Sequence, residues 1–280
     1  RFEQNLSVFS SLIEMSDFFK GKVAIVTRAS GGIGESTARL LHRRGALVVL
    51  SARRKAELDR IADDLPGSFS VVADVTQPDS VARMVDGVLK KFGRIDILVN
   101  NAGILLYKPM MGTNLDEIRN VMETNFFGAV HCVHAVVSAM ERQGQGWIVN
   151  VSSIAGRVGF PFIGYYCASK FAMTGFSETL RQELKPKNIF VSTVSPGTVY
   201  TPMTKNIVDD AISRGKNVMP ISPDVVAVKI LDAVEKRKLE VFVPKLTHLA
   251  YLLHFFFPRF LEWLAWRFRA SDEGGIKKSG

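Results

Sequence analysis

Short apolar runs alternate with amphipathic segments from Lys22 to about Thr247. Apolar runs of this length predict strands, and apolar residues that recur every three or four positions between them predict helices. The predicted strands cover residues 23–27, 47–51, 69–73, 95–99, 147–151, 189–194 and 239–243. The predicted helices cover residues 33–44, 55–64, 78–92, 115–142 with a break near 125–128, and 165–184.

The predicted strands are apolar along their length rather than alternating between apolar and polar residues. Strands of this kind are buried on both faces, as in a parallel sheet whose connecting helices cover both sides. We therefore expect an α/β fold with one doubly wound, mainly parallel sheet in residues 19–246. An extension at 1–18 would precede this domain, and a hydrophobic helical segment at 247–270 and a flexible tail at 271–280 would follow it.

Tyr166 and Lys170 stand four residues apart in the helix predicted over 165–184, so their side chains share one face. A free phenol has a pKa near ~10, and a fixed cation beside it favours the phenolate. Lys170 is a candidate for that cation, and Ser153, just after a predicted strand, would face the same helix. A surface tyrosine and lysine on an ordinary helix can share this spacing, so the pair needs support from the rest of the chain.

The first predicted strand runs into the glycine-rich turn Thr27-Arg28-Ala29-Ser30-Gly31-Gly32-Ile33-Gly34, which opens the first predicted helix. Glycines at such a junction let the backbone approach a pyrophosphate, and the helix N-terminus favours the anion. The turn therefore predicts a dinucleotide-binding site in a Rossmann-type domain.

Arg53 and Arg54 follow the second predicted strand, and no acidic residue lies between Val48 and Ala56. NAD-binding chains usually place an acid at this point, whereas an arginine suits a 2′-phosphate. The helix dipole disfavours a cation at a helix start, so these arginines are expected to have a role other than stabilising the helix. We therefore expect NADP(H) as the cofactor in preference to NAD(H).

The chain has 36 Lys and Arg residues against 27 Asp and Glu, a net charge of +9. This balance suits an anionic partner such as a phosphorylated cofactor or a membrane surface. The basic residues are scattered with few aromatic residues among them, so we do not expect nucleic acid as a partner.

Cys132 and Cys167 both fall in predicted helices, and we expect them to be buried free thiols in a reducing compartment. His131 and His134 share a helix face. No carboxylate or cysteine completes a metal-binding set with them, so we expect no metal site.

Taken in order, these features resemble the short-chain dehydrogenase/reductase family over about residues 19–244. The resemblance rests on the glycine-rich turn together with Asp74-Val75, Asn100-Asn101-Ala102-Gly103, Asn125, Ser153, Tyr166 with Lys170, and Pro196-Gly197 with Thr201. It implies direct hydride transfer between a nicotinamide and a carbonyl carbon, without a metal. It also implies a homo-oligomer, dimer or tetramer, formed through the helices predicted over 115–142 and 165–184.

The resemblance implies a role for each matching residue. Tyr166 would be the acid in reduction and the base in oxidation, and Lys170 would lower its pKa and bind the nicotinamide ribose. Ser153 would polarise the substrate carbonyl as a preorganised donor, and Asn125 would bind a water that links Lys170 to solvent. The implied cofactor-binding residues are Thr27, Arg28, Ser30, Gly31, Gly32, Ile33, Gly34, Arg53, Asp74, Val75, Asn101, Ala102, Gly103, Tyr166, Lys170, Pro196, Gly197, Val199 and Thr201.

One position departs from the family pattern, because Arg28 stands where the family has the first glycine of the turn. That glycine serves the tight turn, so Arg28 could weaken cofactor binding by straining the loop. Alternatively, Arg28 could supply a second cation near the 2′-phosphate, beside Arg53. Since the other glycines are intact, our hypothesis is the second.

Aromatic and aliphatic residues dominate the stretch 247–268, but Pro258, Arg259, Glu262 and Arg267 interrupt it, so it is too broken to span a bilayer. Two interpretations stay open: in-plane contact with a membrane surface, or packing on the core or a dimer interface.

A hydrophobic substrate fits either interpretation, and it also fits the apolar residues Phe160, Phe162 and Ile163, which would line the pocket. We expect a ketone/secondary-alcohol pair on a 3-oxoacyl, sphingoid, steroid or retinoid type of molecule. The enzyme would be cytoplasmic, either free or peripherally attached to a membrane. The alternative from another class is a membrane-attached dinucleotide-binding sensor with little turnover.

Overall fold

The structure, a computed structural model, describes residues 17–259 and Trp263. Most of the expected extension at 1–18 and the whole expected tail at 271–280 lie outside the described residues. Asp17 to Phe19 form a short 3-10 turn, in which Phe19 is fully buried and Phe18 packs edge-on against Trp147 at 5.3 Å between ring centroids. The described chain therefore joins the core from its first residues.

The strands of the described residues form one sheet in which every neighbouring pair runs parallel. They are β1 (Val23–Thr27), β2 (Leu47–Ala52), β3 (Phe69–Val72), β4 (Ile97–Asn100), β5 (Gly146–Val151), β6 (Ile189–Pro196) and β7 (Glu240–Val243). Their order is β3-β2-β1-β4-β5-β6-β7. The order reverses between β1 and β4, which is the point where open α/β sheets bind ligands beyond the carboxyl ends of their strands.

Helices cover both faces of this sheet. Those in the described residues are α1 (Gly32–Arg43), α2 (Lys55–Asp63), α3 (Pro78–Phe92), α4 (Leu115–Met122), α5 (Gly128–Gln143), α6 (Gly164–Leu184), α7 (Lys205–Ser213), α8 (Pro223–Glu235) and α9 (Leu246–Phe256). One apolar cluster includes Val26, Leu41 and Ile230, and a second includes Ile25, Val85 and Val133. Because neighbouring strand residues point to opposite faces, Ile25 and Val26 serve different clusters. This confirms the doubly wound α/β fold.

The helix predicted over 115–142 is in fact two helices. A π-helical turn, Glu123–Phe127, separates α4 from α5, at the break expected near 125–128. Turns of this kind insert one extra residue into the helical ladder and are frequent at functional sites. This turn buries Asn125 completely.

Thr27, the last residue of β1, fastens the glycine-rich turn to the loop after β4. Its Oγ1 accepts hydrogen bonds from the backbone N–H groups of Asn101 (2.9 Å) and Ala102 (3.0 Å). In return, Nδ2 of Asn101 donates to the Thr27 carbonyl at 3.1 Å. The two loops at the switch point are thus held as one unit.

Replacing Thr27 by valine would keep its volume and leave these two backbone N–H groups without their acceptor. Each such loss costs about 1–3 kcal/mol, so we expect Thr27→Val to lower the free energy of unfolding by about 2–6 kcal/mol in urea denaturation. Thr113→Val is the matched control, because Thr113 Oγ1 only donates to the Pro109 carbonyl at the surface. Equal stability of the two variants would contradict the fastening role of Thr27.

Candidate active site

Tyr166 and Lys170 lie one turn apart near the start of α6, facing the end of β5. Lys170 is only 4% exposed, and its Nζ donates a hydrogen bond to the Val151 carbonyl at 2.9 Å. The same Nζ lies 5.7 Å from the centre of the Tyr166 ring. The sequence spacing has therefore placed a buried amine beside a half-buried phenol.

Ser153 stands where β5 ends and joins that end to β6. Its Oγ accepts a hydrogen bond from the Ala155 N–H at 3.1 Å and donates to the Pro196 carbonyl at 3.3 Å. The side chain is buried and close enough to Tyr166 to influence the pKa of the phenol. A fixed hydroxyl thus faces the phenol across the site.

The environment moves the two titratable groups in opposite directions. Burial raises the pKa of Tyr166 to about 12, while the Ser153 hydroxyl and the charge of Arg28 act to lower it. Burial, and secondly the charge of Arg28, lower the pKa of Lys170 to about 8. Both shifts follow from the cost of burying a charge. Arg28 is therefore one cation that acts to lower the Tyr166 pKa, and the same role for Lys170 stays a prediction.

Asn125 ties the π-helical turn to the loop after β4 and to α6. Its Oδ1 accepts from the Ile104 N–H at 2.7 Å, and its Nδ2 donates to the Ile104 carbonyl at 3.0 Å and to Ser169 Oγ at 2.9 Å. Ser169 directly precedes Lys170. The Asn125 amide therefore positions the chain around the lysine.

Two adjoining cavities open at the carboxyl ends of the strands. The first, which we name the Tyr166 cavity, contains most of the predicted site residues, namely Arg28, Ser30, Gly31, Gly32, Ile33, Asn101, Gly103, Ser153, Tyr166, Lys170, Pro196, Gly197, Val199 and Thr201. The second, the Arg53 cavity, is lined by Arg28, Ser30, Arg53, Asp74, Val75, Ala102 and Gly103 among others. The predicted residues thus converge on one continuous site.

Three predicted residues lie behind the walls of the cavities: Thr27, Gly34 and Asn125. At Gly34 a Cβ would lie 2.3 Å from the Arg28 carbonyl oxygen, so the glycine permits the turn to pack on α1. Conversely, the predicted set lacks Arg54, which lines both cavities, and the 202–204 turn, which lines the Tyr166 cavity. The charge of Arg54 beside Arg53 was a signal for the first, and the turn directly follows the predicted residue Thr201.

Arg28 has an unusual backbone and an unusual side-chain environment. Its φ of 52° is left-handed, a conformation that costs a non-glycine residue about 1–2 kcal/mol. Its side chain lines both cavities. Burial lowers its pKa, as do the charges of Arg54 and Arg53, while Tyr166 acts to raise it. Arg28 therefore adds positive charge at the junction of the two cavities.

The neighbouring arginines have carboxylates within reach. Arg53 lies 3.9 Å from Asp74, and Arg54 lies 2.7 Å from Glu57. Among the hydrogen bonds and ion pairs of the described residues, none involves the Arg28 guanidinium. The junction of the cavities thus presents a cation that has no protein anion beside it.

The apolar wall expected from Phe160, Phe162 and Ile163 does not line either cavity. Phe162 instead stacks on Tyr107 with 5.7 Å between ring centroids, and its backbone has a left-handed φ of 66°. With Phe160 and Met110 these two residues form what we name the apolar rim, beside the start of α6. Tyr107, Met110 and Phe160 are all exposed.

The remaining candidate groups have structural partners. A ring nitrogen of His131 lies 2.9 Å from the Val75 carbonyl oxygen. Cys132 and Cys167 are buried and free, as expected. Within residues 17–259 and Trp263, no group of three His, Cys, Asp or Glu side chains is placed to hold a metal ion.

Comparison with known proteins finds close likeness in sequence and fold. The sequence model of the family described as short chain dehydrogenase matches residues 22–212. The chain is 34% identical over 278 residues to a Drosophila melanogaster protein named Dehydrogenase/reductase SDR family protein 7-like, covering 92% of this chain and 84% of that protein. It is 37% identical over 185 residues to a Bacteroides thetaiotaomicron protein named 3-ketodihydrosphingosine reductase, covering 66% of each.

A solved structure gives the same result for the fold. The crystal structure of a short chain dehydrogenase/reductase from Burkholderia phymatum, in complex with NAD, matches with a TM-score of 0.79 at 25% identity. The match covers 84% of this chain and 93% of that one.

The lowered pKa of Lys170 predicts a pH dependence of stability. Because the pKa is about 8 in the folded chain against a reference of 10.5, the unfolded chain binds more protons between these values, so stability rises with pH there. We expect wild type to gain about 2–3 kcal/mol of unfolding free energy relative to Lys170→Met from pH 8 to pH 10.5. Urea denaturation at several pH values from 8 to 10.5 measures this difference in unfolding free energy. Lys185→Met, at an exposed lysine, is the control; a flat difference between wild type and Lys170→Met would contradict the expected shift.

Proposed function

Because the chain belongs to the short-chain dehydrogenase/reductase family, and is therefore an NAD(P)-binding oxidoreductase, we propose that it interconverts a ketone and a secondary alcohol on a hydrophobic molecule, with NADP(H) as cofactor. The observation that carries this proposal is the Tyr166 cavity, in which Ser153, Tyr166 and Lys170 meet the glycine-rich turn.

The dinucleotide fits this site on structural grounds. A Cβ built on Gly31 would meet no atom within 4 Å, so the space before the N-terminus of α1 is open. Backbone N–H groups at a helix start favour a phosphate. Arg28 adds an unpaired positive charge at the junction of the two cavities, and the residues present therefore suit an anionic linker between two nucleosides.

The protein's own side chains would transfer the proton and stabilise the charge that develops during the reaction. The bound nicotinamide supplies or accepts the hydride. Ser153 Oγ would donate to the carbonyl oxygen of the substrate, where negative charge develops. Tyr166 would give its proton to that oxygen during reduction and take it back during oxidation. Lys170, held in place by the Val151 carbonyl, would orient the ribose and stabilise the phenolate by its charge.

The preference for NADP(H) is supported by the charge of the Arg53 cavity. The Arg53 side chain is 67% exposed and only loosely paired with Asp74, so it is free to turn to a phosphate. Arg28 and Arg54 line the same cavity. Three guanidinium groups around one pocket suit a 2′-phosphate, which accepts strong charge-assisted hydrogen bonds.

The hydrophobic character of the substrate is supported by the apolar rim next to the start of α6. A carbonyl held at Tyr166 would leave its apolar substituents near Tyr107, Met110 and Phe162. The relative named 3-ketodihydrosphingosine reductase, by its name, acts on a long-chain ketone. A 3-oxoacyl or sphingoid-type ketone is therefore our first candidate, ahead of a steroid or retinoid.

A homo-oligomer formed through α5 and α6 is supported by large apolar side chains at their surface. Phe171 on α6 is 46% exposed, and Phe127, just before α5, is 41% exposed. Self-association through these helices would bury both rings.

Tyr166→Phe tests the chemistry with the loss of one oxygen atom. A positioned general acid contributes about 10²–10⁴-fold to the rate, so we expect NADPH oxidation with a long-chain ketone to fall by at least about 10²-fold, while NADPH still binds. Absorbance at the reduced nicotinamide band follows the reaction. Tyr165→Phe is the matched control and should keep the activity.

Turnover retained in Tyr166→Phe would refute the role of Tyr166. NADPH binding without reduction of any ketone by wild type would support the sensor alternative instead.

Arg28→Gly puts back the glycine that the family has at this position. It tests the effect of Arg28 on NADPH binding and its effect on the free energy of unfolding as two separate quantities. The loss of one charge-assisted hydrogen bond is worth about 1.5–3 kcal/mol, so the NADPH dissociation constant should rise at least about tenfold, while that of NADH stays unchanged. Relief of the left-handed strain should raise the unfolding free energy by about 1 kcal/mol. Calorimetric titration and thermal melts measure these two quantities. Tighter NADPH binding would show that Arg28 obstructs the cofactor, and an equal loss for both cofactors would place it at the pyrophosphate.

A further inference from the structure

The helix α9 is attached to the domain in an unusual way, by its polar and aromatic residues. The His248 ring stacks on Phe242 at 4.7 Å between centroids, and Tyr251 lies parallel to the same ring at 6.0 Å. The Arg157 guanidinium lies 5.5 Å from the centre of the Tyr251 ring. Among the side chains of this helix that the structure describes, those of Thr247, Tyr251 and His254 are half-buried.

The leucine and phenylalanine side chains of α9 point away from the domain. We name them the α9 outer face: Leu246, Leu249, Leu252, Leu253, Phe255 and Phe256, which are 38–71% exposed. Phe257, the residue after the helix, is 59% exposed. A helix that packs on its own core does the opposite and buries its apolar stripe. Large contiguous apolar surfaces of this kind mark binding sites.

The charges around this face point to the nature of its partner. No acidic residue occurs from Val241 to Arg259, while Lys245 precedes α9 and Arg259 follows it. Two copies of this face brought together would oppose cations to cations, which disfavours self-association. An anionic lipid surface, by contrast, attracts flanking basic residues.

We propose that the α9 outer face inserts into the surface layer of a membrane containing anionic lipid, with the helix axis in the membrane plane. Leucine and phenylalanine would enter the boundary between headgroups and acyl chains, and Lys245 and Arg259 would meet the headgroups. Within the described part of the chain, no helix is long and apolar enough to cross a membrane.

The position of α9 also connects the membrane with the substrate site. Thr247 Cγ2 lies 3.4 Å from the place a Cβ would take on Gly197, and Gly197 lines the Tyr166 cavity. The helix therefore begins at the wall of the cavity. This second step rests on the proposed function: a hydrophobic ketone dissolved in the membrane would reach the cavity without passing through bulk water.

Vesicle flotation of the full chain tests the membrane step. We expect it to float with vesicles of phosphatidylcholine containing about one-third phosphatidylserine, and to bind phosphatidylcholine vesicles at least about tenfold more weakly. Leu253→Glu combined with Phe256→Glu should lower the bound fraction at least about tenfold.

The matched control is Met111→Glu combined with Met219→Glu, at side chains that are 92% and 85% exposed elsewhere on the surface. The control should bind vesicles like wild type. Thermal melts check that both double variants stay folded. Equal flotation of the two double variants would overturn the proposal. Loss of a dimer in the α9 variant, without vesicle binding by wild type, would assign this face to a second copy.

Two further measurements separate this proposal from the proposed function. Tyr166→Phe should float like wild type, since flotation needs no turnover; a chain that floats but reduces no ketone would refute the enzymatic proposal alone. The α9 variant should raise KM for a long-chain ketone presented in vesicles and leave kcat/KM for a short water-soluble ketone unchanged. An unchanged KM for both ketones would refute direct entry from the membrane.

Discussion

The arrangement of the site depends on the burial of the Lys170 amine. Lys170 is taken out of water between the end of β5 and α6, where the Val151 carbonyl accepts its hydrogen bond at 2.9 Å. The desolvation of this ammonium lowers its pKa, and the partial burial of the adjacent Tyr166 phenol raises the pKa of that group. The pKa values of Lys170 and Tyr166, about 8 and about 12, are both shifted in the direction that favours the uncharged form of each group.

Several contacts in the surrounding fold hold the Lys170 amine in place. The π-helical turn brings Asn125 to Ser169, one residue before Lys170. A Cβ on Gly103 would lie only 3.3 Å from Asn125 Oδ1, so the glycine leaves room for the Asn125 amide beside the loop after β4. Thr27 fastens that loop to the glycine-rich turn. The residues that would hold the cofactor and the residues that would move the proton are thus parts of one hydrogen-bonded assembly.

The sequence predicted the fold because its signals are local. Continuous apolar runs such as Val23–Thr27 specify strands buried on both faces, and the helices between them supply the long crossovers that parallel neighbours require. The convergence of Ser153, Tyr166 and Lys170 followed from strand ends and helix spacing. The side-chain direction of Arg28 did not, since it depends on a left-handed φ and on charges from other loops. The position of Phe162 was also predicted wrongly, and its backbone too is left-handed. The outward apolar face of α9 depends on the contact of His248 with Phe242, a tertiary contact that periodicity does not encode.

The most direct test of the account follows the hydride itself. Wild-type protein would be incubated with a long-chain ketone and NADPH carrying deuterium at C4 of the nicotinamide, in separate samples for each face of the ring. Mass spectrometry of the product would then locate the label. The account predicts an alcohol that carries deuterium on its carbinol carbon from one face only. An alcohol without deuterium from either sample, or bound NADPH with no alcohol formed, would contradict it.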